Sequence, residues 1–255
     1  MQTLLDTLLI FRRHLSLSLR NPAWVVIGLT QPVLYLIFFG PLLVSALRSR
    51  GSDVTEAEAW QVYVPGLLVQ LSLFGSGFVG FGINGEWRMG IIERMRVTPV
   101  SRLALLLGRV LRDMTVQLIQ SVLLIGVGTA FGLRAPIPGV LLGLGFVLLI
   151  SMSLASLSYT AGLLIKSEDA FAPLLSAVSV PLMLLSGVLL PMSLAPDWLN
   201  FVSHLNPFRY IVEAMRDVFR GDYATTGVLI GVIVAVVLAA ASVTFGTRTF
   251  RRENV

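Results

Sequence analysis

Cysteine is absent from this chain of 255 residues. That excludes disulfide frameworks, thiol nucleophiles and thiolate metal sites. Histidine is nearly absent. His14 and His204 lie far apart, and neither has companions at metal-ligand spacing. Charge is scarce too, at 13% of residues, against about 25% in a soluble domain. Lysine occurs once, at Lys166, so the basic side is almost entirely arginine. There is no G-x-x-x-x-G-K-[ST] loop, so nucleotide phosphates cannot be cradled in that way. No acid or histidine falls near the middle of a long apolar run, which disfavours proton- or sodium-driven transport. The first residues lack the basic region, clean apolar core and small-residue site of a cleavable signal peptide.

Apolar surface is abundant instead. Hydrophobic residues make up 55% of the chain and mean hydropathy is +0.84. These values predict an all-α polytopic membrane protein. Six apolar runs, about 24–47, 62–83, 103–131, 140–165, 170–190 and 226–246, each reach the roughly 20 residues a bilayer core requires. Pro32 and Pro41 fall within the first and Pro173 and Pro181 within the fifth. The glycines at Gly75 to Gly82 and Gly139 to Gly145 lie inside apolar helices and read as packing glycines. Residues 1–21 form a separate amphipathic element, with Leu4, Leu8, Phe11, Leu15 and Leu19 on one helical face. That helix either lies in the membrane interface or packs on its own protein. Residues 22–252 make one transmembrane domain.

The segment 191–223 is too polar and too broken by proline to span. It predicts a short helix at 196–204 and a second beginning at Pro207. In the second, Phe208, Ile211, Val212, Met215 and Phe219 share one face. Arg209, Glu213, Arg216 and Arg220 share the other, with Arg209 and Glu213 at i,i+4 spacing. Together the two read as a re-entrant hairpin dipping into the outer leaflet. Six spans put both termini on one side. Arg48, Arg50, Arg134, Arg209, Arg216 and Arg220 fall on the other, and the remaining 13 of the 19 basic residues share the side of the termini. The positive-inside rule makes that side the cytoplasm of a cell membrane and places the hairpin outside.

Between the second and third runs lies the most charged stretch, residues 84–112. It holds Glu86, Arg88, Glu93, Arg94, Arg96, Arg102, Arg109 and Arg112. A central Arg or Glu in hydrocarbon costs several kcal/mol, so this block stands outside the bilayer. Trp87, Ile91, Ile92 and Met95 form an apolar stripe within it, suited to a partner's pocket or to the membrane surface. The chain thus has a charged cytoplasmic elbow, an outer hairpin and no engine. The simplest account is an engine on a separate polypeptide.

Three stretches resemble the type-2 permeases of ATP-binding-cassette (ABC) transporters, in particular the daunorubicin-resistance-like drug-efflux branch. The first is Glu86-x-x-x-Gly90-x-x-Glu93 followed by Thr98-Pro99-Val100-Ser101-Arg102. The second is Leu185-Ser186-Gly187-Val188 with Pro191. The third is Asn206-Pro207-x-x-Tyr210 with Glu213-Ala214-x-Arg216. They occur in the family's order and between the matching spans. The resemblance implies an exporter's permease subunit that binds no cofactor itself. ATP and magnesium would sit on two copies of a cytoplasmic ATPase. A second permease chain, identical or homologous, would complete the unit, with the lipid bilayer around it and no nucleic acid involved. It also implies that the helix from Glu86 to about Val97 is the coupling element, with Glu86, Trp87, Arg88, Gly90, Ile91, Glu93, Arg94, Thr98 and Pro99 meeting the ATPase.

A substrate path is expected where two protomers meet, along the first, second and fifth spans. Tyr35, Phe38, Phe39, Gln70, Phe74, Met183 and Ser186 supply aromatic, polarisable and small polar groups there, and packing within the bundle is the alternative for each. The expected cargo is an amphipathic drug-like or lipid-like molecule. A lipid-linked glycan or polymer is the runner-up, and a non-transporting membrane enzyme or scaffold is the competing class.

Overall fold

The computed structural model describes residues 2–20, 23–49, 55–88, 102–165 and 167–252. Its elements are α1 (Gln2–Arg20), α2 (Ala23–Ser49), α3 (Glu56–Gly77), α4 (Phe81–Arg88), α5 (Arg102–Ala130), α6 (Ile137–Leu164), α7 (Glu168–Leu185), a 3₁₀ turn at Met192–Leu194, α8 (Asp197–Ser203), α9 (Pro207–Arg220) and α10 (Thr226–Arg252). Among the described residues there is no strand.

Among the described residues, five segments are long and apolar enough to cross a membrane: Val25–Leu42, Glu56–Ile83, Ala104–Ala130, Ile137–Leu164 and Thr226–Thr249. The fifth expected span, 170–190, is shorter than the sequence suggests. Its apolar helix covers Asp169–Leu185 and then turns through Gly187 at φ 75°. Glycine adopts that left-handed backbone without the steric penalty other residues meet.

The other limits follow local chemistry. α3 starts six residues before the expected 62 because Thr55 and Glu58 form a capping box. The Thr55 hydroxyl accepts from the Glu58 N–H at 3.3 Å, and Glu58 Oε2 accepts from the Thr55 N–H at 2.8 Å. It also ends early, at a turn over residues 78–80. Ser158 of α6 holds that break: its hydroxyl donates to the Gly77 carbonyl and accepts from the Gly80 N–H. A Cβ at Gly80 would strike the Ser158 carbonyl, and one at Gly162 would lie 2.6 Å from the Gly80 carbonyl. Gly80 therefore brings two backbones together, as the glycine reading expects.

α3 is the axis of the bundle. Of its span, 67% is buried, against 17% for α2 and 28% for α10. The main core gathers Tyr63, Leu67 and Leu68 of α3 with Leu124, Ile150, Ile211, Met215 and Phe219. Serines stitch helices as well as bonding their own carbonyls. Ser76 pairs with Ser151 at 2.7 Å and Ser153 with Ser242 at 2.8 Å, both across helices. α1 packs on α5, where Thr7 and Ile10 close over Gly108 and the Ser18 hydroxyl accepts from Arg112 Nε at 2.6 Å. Its Leu4 and Leu8 stay exposed.

Candidate functional site

Three groups of sequence-selected residues occupy three places. The charged elbow leaves α4 and returns at α5. Glu86, Trp87 and Arg88 form the last turn of α4. Gly90, Ile91, Glu93, Arg94, Thr98 and Pro99 lie outside the described residues. The root of the elbow is firmly seated. Ile83 is buried with Leu106, Val110, Ala155, Tyr159 and Leu163, drawn from α5 and α6. Phe81 meets Phe171 of α7 edge-on at 4.8 Å.

The second group is the hairpin of α8 and α9. Asn206 caps α9, accepting from the Phe208 N–H at 3.0 Å, and Pro207 takes the first helical position. Gly221 at φ 100° closes the helix. The Asn206 amide nitrogen also donates to the Leu182 carbonyl of α7 at 2.7 Å. Tyr210 donates to the His204 carbonyl at 3.0 Å. Arg209 pairs with Glu213 at 3.0 Å, as the spacing predicts, and also donates to the Asn200 carbonyl at 2.9 Å.

The polar face expected for α9 is only partly polar. Arg216 is 4% exposed and Arg209 is also buried. The Arg216 guanidinium donates to the carbonyls of Val62 at 3.0 Å and Gly187 at 2.7 Å, with a longer contact to Val188 at 3.4 Å. Burial lowers its pKa to about 10, so it remains charged at neutral pH. The Ser186–Val188 turn and the Asn206–Arg216 stretch are therefore two halves of one lock. Arg216 is the bolt and α3 is the third wall. Sequence periodicity missed this because a guanidinium can be buried wherever bare carbonyls converge to satisfy it.

The third group is the expected substrate path, which the fold divides. Gln70 and Phe74 line one cleft together. Phe38 is exposed, and Phe39 packs on Tyr63 at 5.8 Å between ring centres. The Tyr35 carbonyl accepts from the Tyr63 hydroxyl at 3.0 Å. Met183 and Ser186 are buried, with the Ser186 hydroxyl donating to the Met183 carbonyl at 2.7 Å.

The cleft itself lies between α2, α3 and α5. A chamber of about 480 Å³ is lined by Phe74, Phe78 and Phe81 on one side and by Arg112, Asp113, Gln117 and Gln120 of α5 on another. A smaller chamber of about 130 Å³ shares Ile27, Gly28, Phe74 and Gly75 with it and adds Gln31 and Gln70. Asp113 is buried, accepting from the Tyr159 hydroxyl and paired with Arg112. Asp113, Gln117 and Gln120 stand at i, i+4 and i+7 of α5, a polar stripe readable in the sequence. His14 of α1 lines a further pocket with Arg109, Arg112 and Tyr159. Burial lowers its pKa to about 4, and Arg109, Arg112 and Arg13 push it the same way, so it is neutral at pH 7.

Residues 6–219 match the family model described as ABC-2 type transporter. The chain belongs to the ABC-2 type transporter family. It is 30% identical over 213 residues to the inner membrane transport permease YadH of Escherichia coli K12, covering 79% of each chain. It is 27% identical over 199 residues to the putative transport permease ycf38 of Cyanophora paradoxa, covering 77% of this chain and 68% of the relative. The daunorubicin resistance ABC transporter permease protein DrrB1 of Streptomyces coeruleorubidus is 23% identical over 235 residues, covering 91% and 81%. Family membership and the apolar helices make the chain a multi-pass membrane permease.

Proposed function

We propose that the chain is the permease subunit of an ABC exporter. It moves amphipathic drug-like or lipid-like molecules out of the cytoplasm or inner leaflet, and a separate ATPase drives it. Two ATPase copies and a second permease chain complete the working unit. ATP and magnesium are held by the ATPase. In this reading α7 is a sixth, short span, both termini are cytoplasmic, and α8 and α9 form the re-entrant hairpin on the outer side. The Leu4 and Leu8 face of α1 lies in the inner membrane interface.

The seating of the elbow carries the reading. Residues 89–101 join α4, which is fixed by Ile83 and Phe81, to α5. A push on the elbow therefore reaches α3, α5, α6 and α7 together, which suits rigid-body rocking rather than local bending. The relatives' printed names support the drug-like cargo. A cleft of about 480 Å³ lined by Phe74, Phe78 and Phe81 suits such a molecule better than a polymer.

The test places tryptophan at Gly90 or Glu93. Both variants insert in the membrane and bind the ATPase, yet ATP-driven efflux falls at least about a hundredfold, because misplacing a docking element breaks transmission. Full-rate efflux by either variant with the ATPase bound overturns the coupling role. Activity of the purified chain without any ATPase favours the enzyme or scaffold class.

A further inference from the structure

We infer that the cleft between α2, α3 and α5 binds, within one protomer, a flat amphipath that carries amino or hydroxyl hydrogen-bond donors. This deepens the export reading, on which it rests only for what the site is used for.

Shape supplies the first argument. The rings of Phe74 and Phe78 lie 6.1 Å apart at 16°, and those of Phe78 and Phe81 6.1 Å apart at 13°. Three nearly parallel, offset-stacked rings along one wall make a stepped aromatic shelf on which a planar body can stack. Phe171, edge-on to Phe81, braces its end. A chamber of about 480 Å³ is within the usual range for small-molecule sites.

Polarity supplies the second. Gln70 is 1% exposed, and among the described residues neither its amide oxygen nor its amide nitrogen has a partner. Inside a membrane helix such a group is unfavourable, and a leucine would be more stable there. The opposite wall carries acceptors beside the Arg112–Asp113 pair. Gln117 gives one amide N–H to the Ser72 hydroxyl at 3.3 Å, and Gln120 gives one to the Val25 carbonyl at 3.3 Å. Both amide oxygens turn toward Gly75, where a Cβ would lie 2.6 Å from Gln117 Oε1 and 3.9 Å from Gln120 Oε1. A Cβ at Gly28 would strike the Gln120 amide nitrogen. The two glycines leave room for the amides. Acceptors facing an aromatic shelf select a flat molecule with donors at its edge, not a flexible acyl chain.

The test uses the permease alone in nanodiscs, titrated with proflavine, a planar fluorescent dye with two amino groups. Acridine orange is the control, with the same ring and charge and its amino hydrogens replaced by methyls. Proflavine is expected to saturate at one molecule per chain and to bind about tenfold tighter than acridine orange, the scale of one lost hydrogen-bond pair. Gln70→Leu and Gly75→Ala each weaken proflavine about tenfold, and melting curves establish that both are folded. Saturation at one molecule per two chains overturns the inference, as does equal affinity for the two dyes. Displacement by lysophosphatidylglycerol at matching concentration also overturns it, by making the cleft a lipid-chain site. These three readouts use the unaltered protein and stand even where a variant fails to fold. Binding without ATP-driven export removes the export reading and leaves the site. Export without this binding removes the site alone.

Discussion

The hairpin end and the α2–α3–α5 cleft handle buried polar groups in opposite ways. At the hairpin, the buried Asn206, Arg209 and Arg216 each have defined partners, most of them backbone carbonyls, and Asn200 Oδ1 is the exception among the described residues. In the cleft, Gln70 has none, and the Gln117 and Gln120 amides line the chamber beside Gly75. Polar groups satisfied within the protein hold a shape. Polar groups left unsatisfied in an apolar surrounding raise the energy of the empty state and favour whatever completes them. On the inference drawn above, the difference separates residues that hold the fold from residues placed to meet a bound molecule.

The largest effect that can break this contrast is at Arg216. Arg216→Met removes the donors from the Val62 and Gly187 carbonyls, and the chain should lose about 3 kcal/mol of stability. Arg216→Lys recovers little, because an ammonium cannot reproduce the planar fork. Detergent melting curves decide this, and wild-type melting of either variant would make the lock decorative. Gly80→Ala comes next. Its Cβ meets the Ser158 carbonyl backbone, with an expected loss of about 2 kcal/mol. Gly77→Ala, with nothing within 4 Å, should be near wild type on the same melting measurement.

A smaller, pH-dependent effect sharpens the contrast at α1. His14 is neutral when α1 is docked, with a pKa of about 4 against 6.5 when free. The undocked state therefore takes up a proton first as pH falls through about 6.5. Docking weakens between there and about pH 4 and changes no further below. The protection of α1 amides, measured by hydrogen exchange relative to the intrinsic rate at each pH, should fall from pH 7.5 to pH 5 in the wild type. His14→Gln should abolish that difference.

Much of this was legible in the sequence. Helix limits 102–130 and 226 onward follow hydropathy closely, and Asn206-Pro207 announces the start of α9. The break at residues 78–80 was not legible. It depends on Ser158, some 80 positions away, reaching across to mend it. The burial of Arg216 was hidden for the same reason, since its partners are carbonyls and carry no residue identity. Gln70 and Phe74 were selected for a path between protomers; within the chain they line a cleft with α2, and Phe74 also faces α5. The α5 amides carry no charge, so charge patterning does not mark them, although the i, i+4, i+7 spacing from Asp113 does.

In the proposed function, the work of transport arrives from outside this chain. Reconstitution in sealed proteoliposomes, with proflavine accumulation as the readout, tests that most directly. Uphill accumulation is expected only with the ATPase and ATP both present, and none from the permease alone under an imposed proton or sodium gradient. A gradient of dye built by the permease alone would contradict the account.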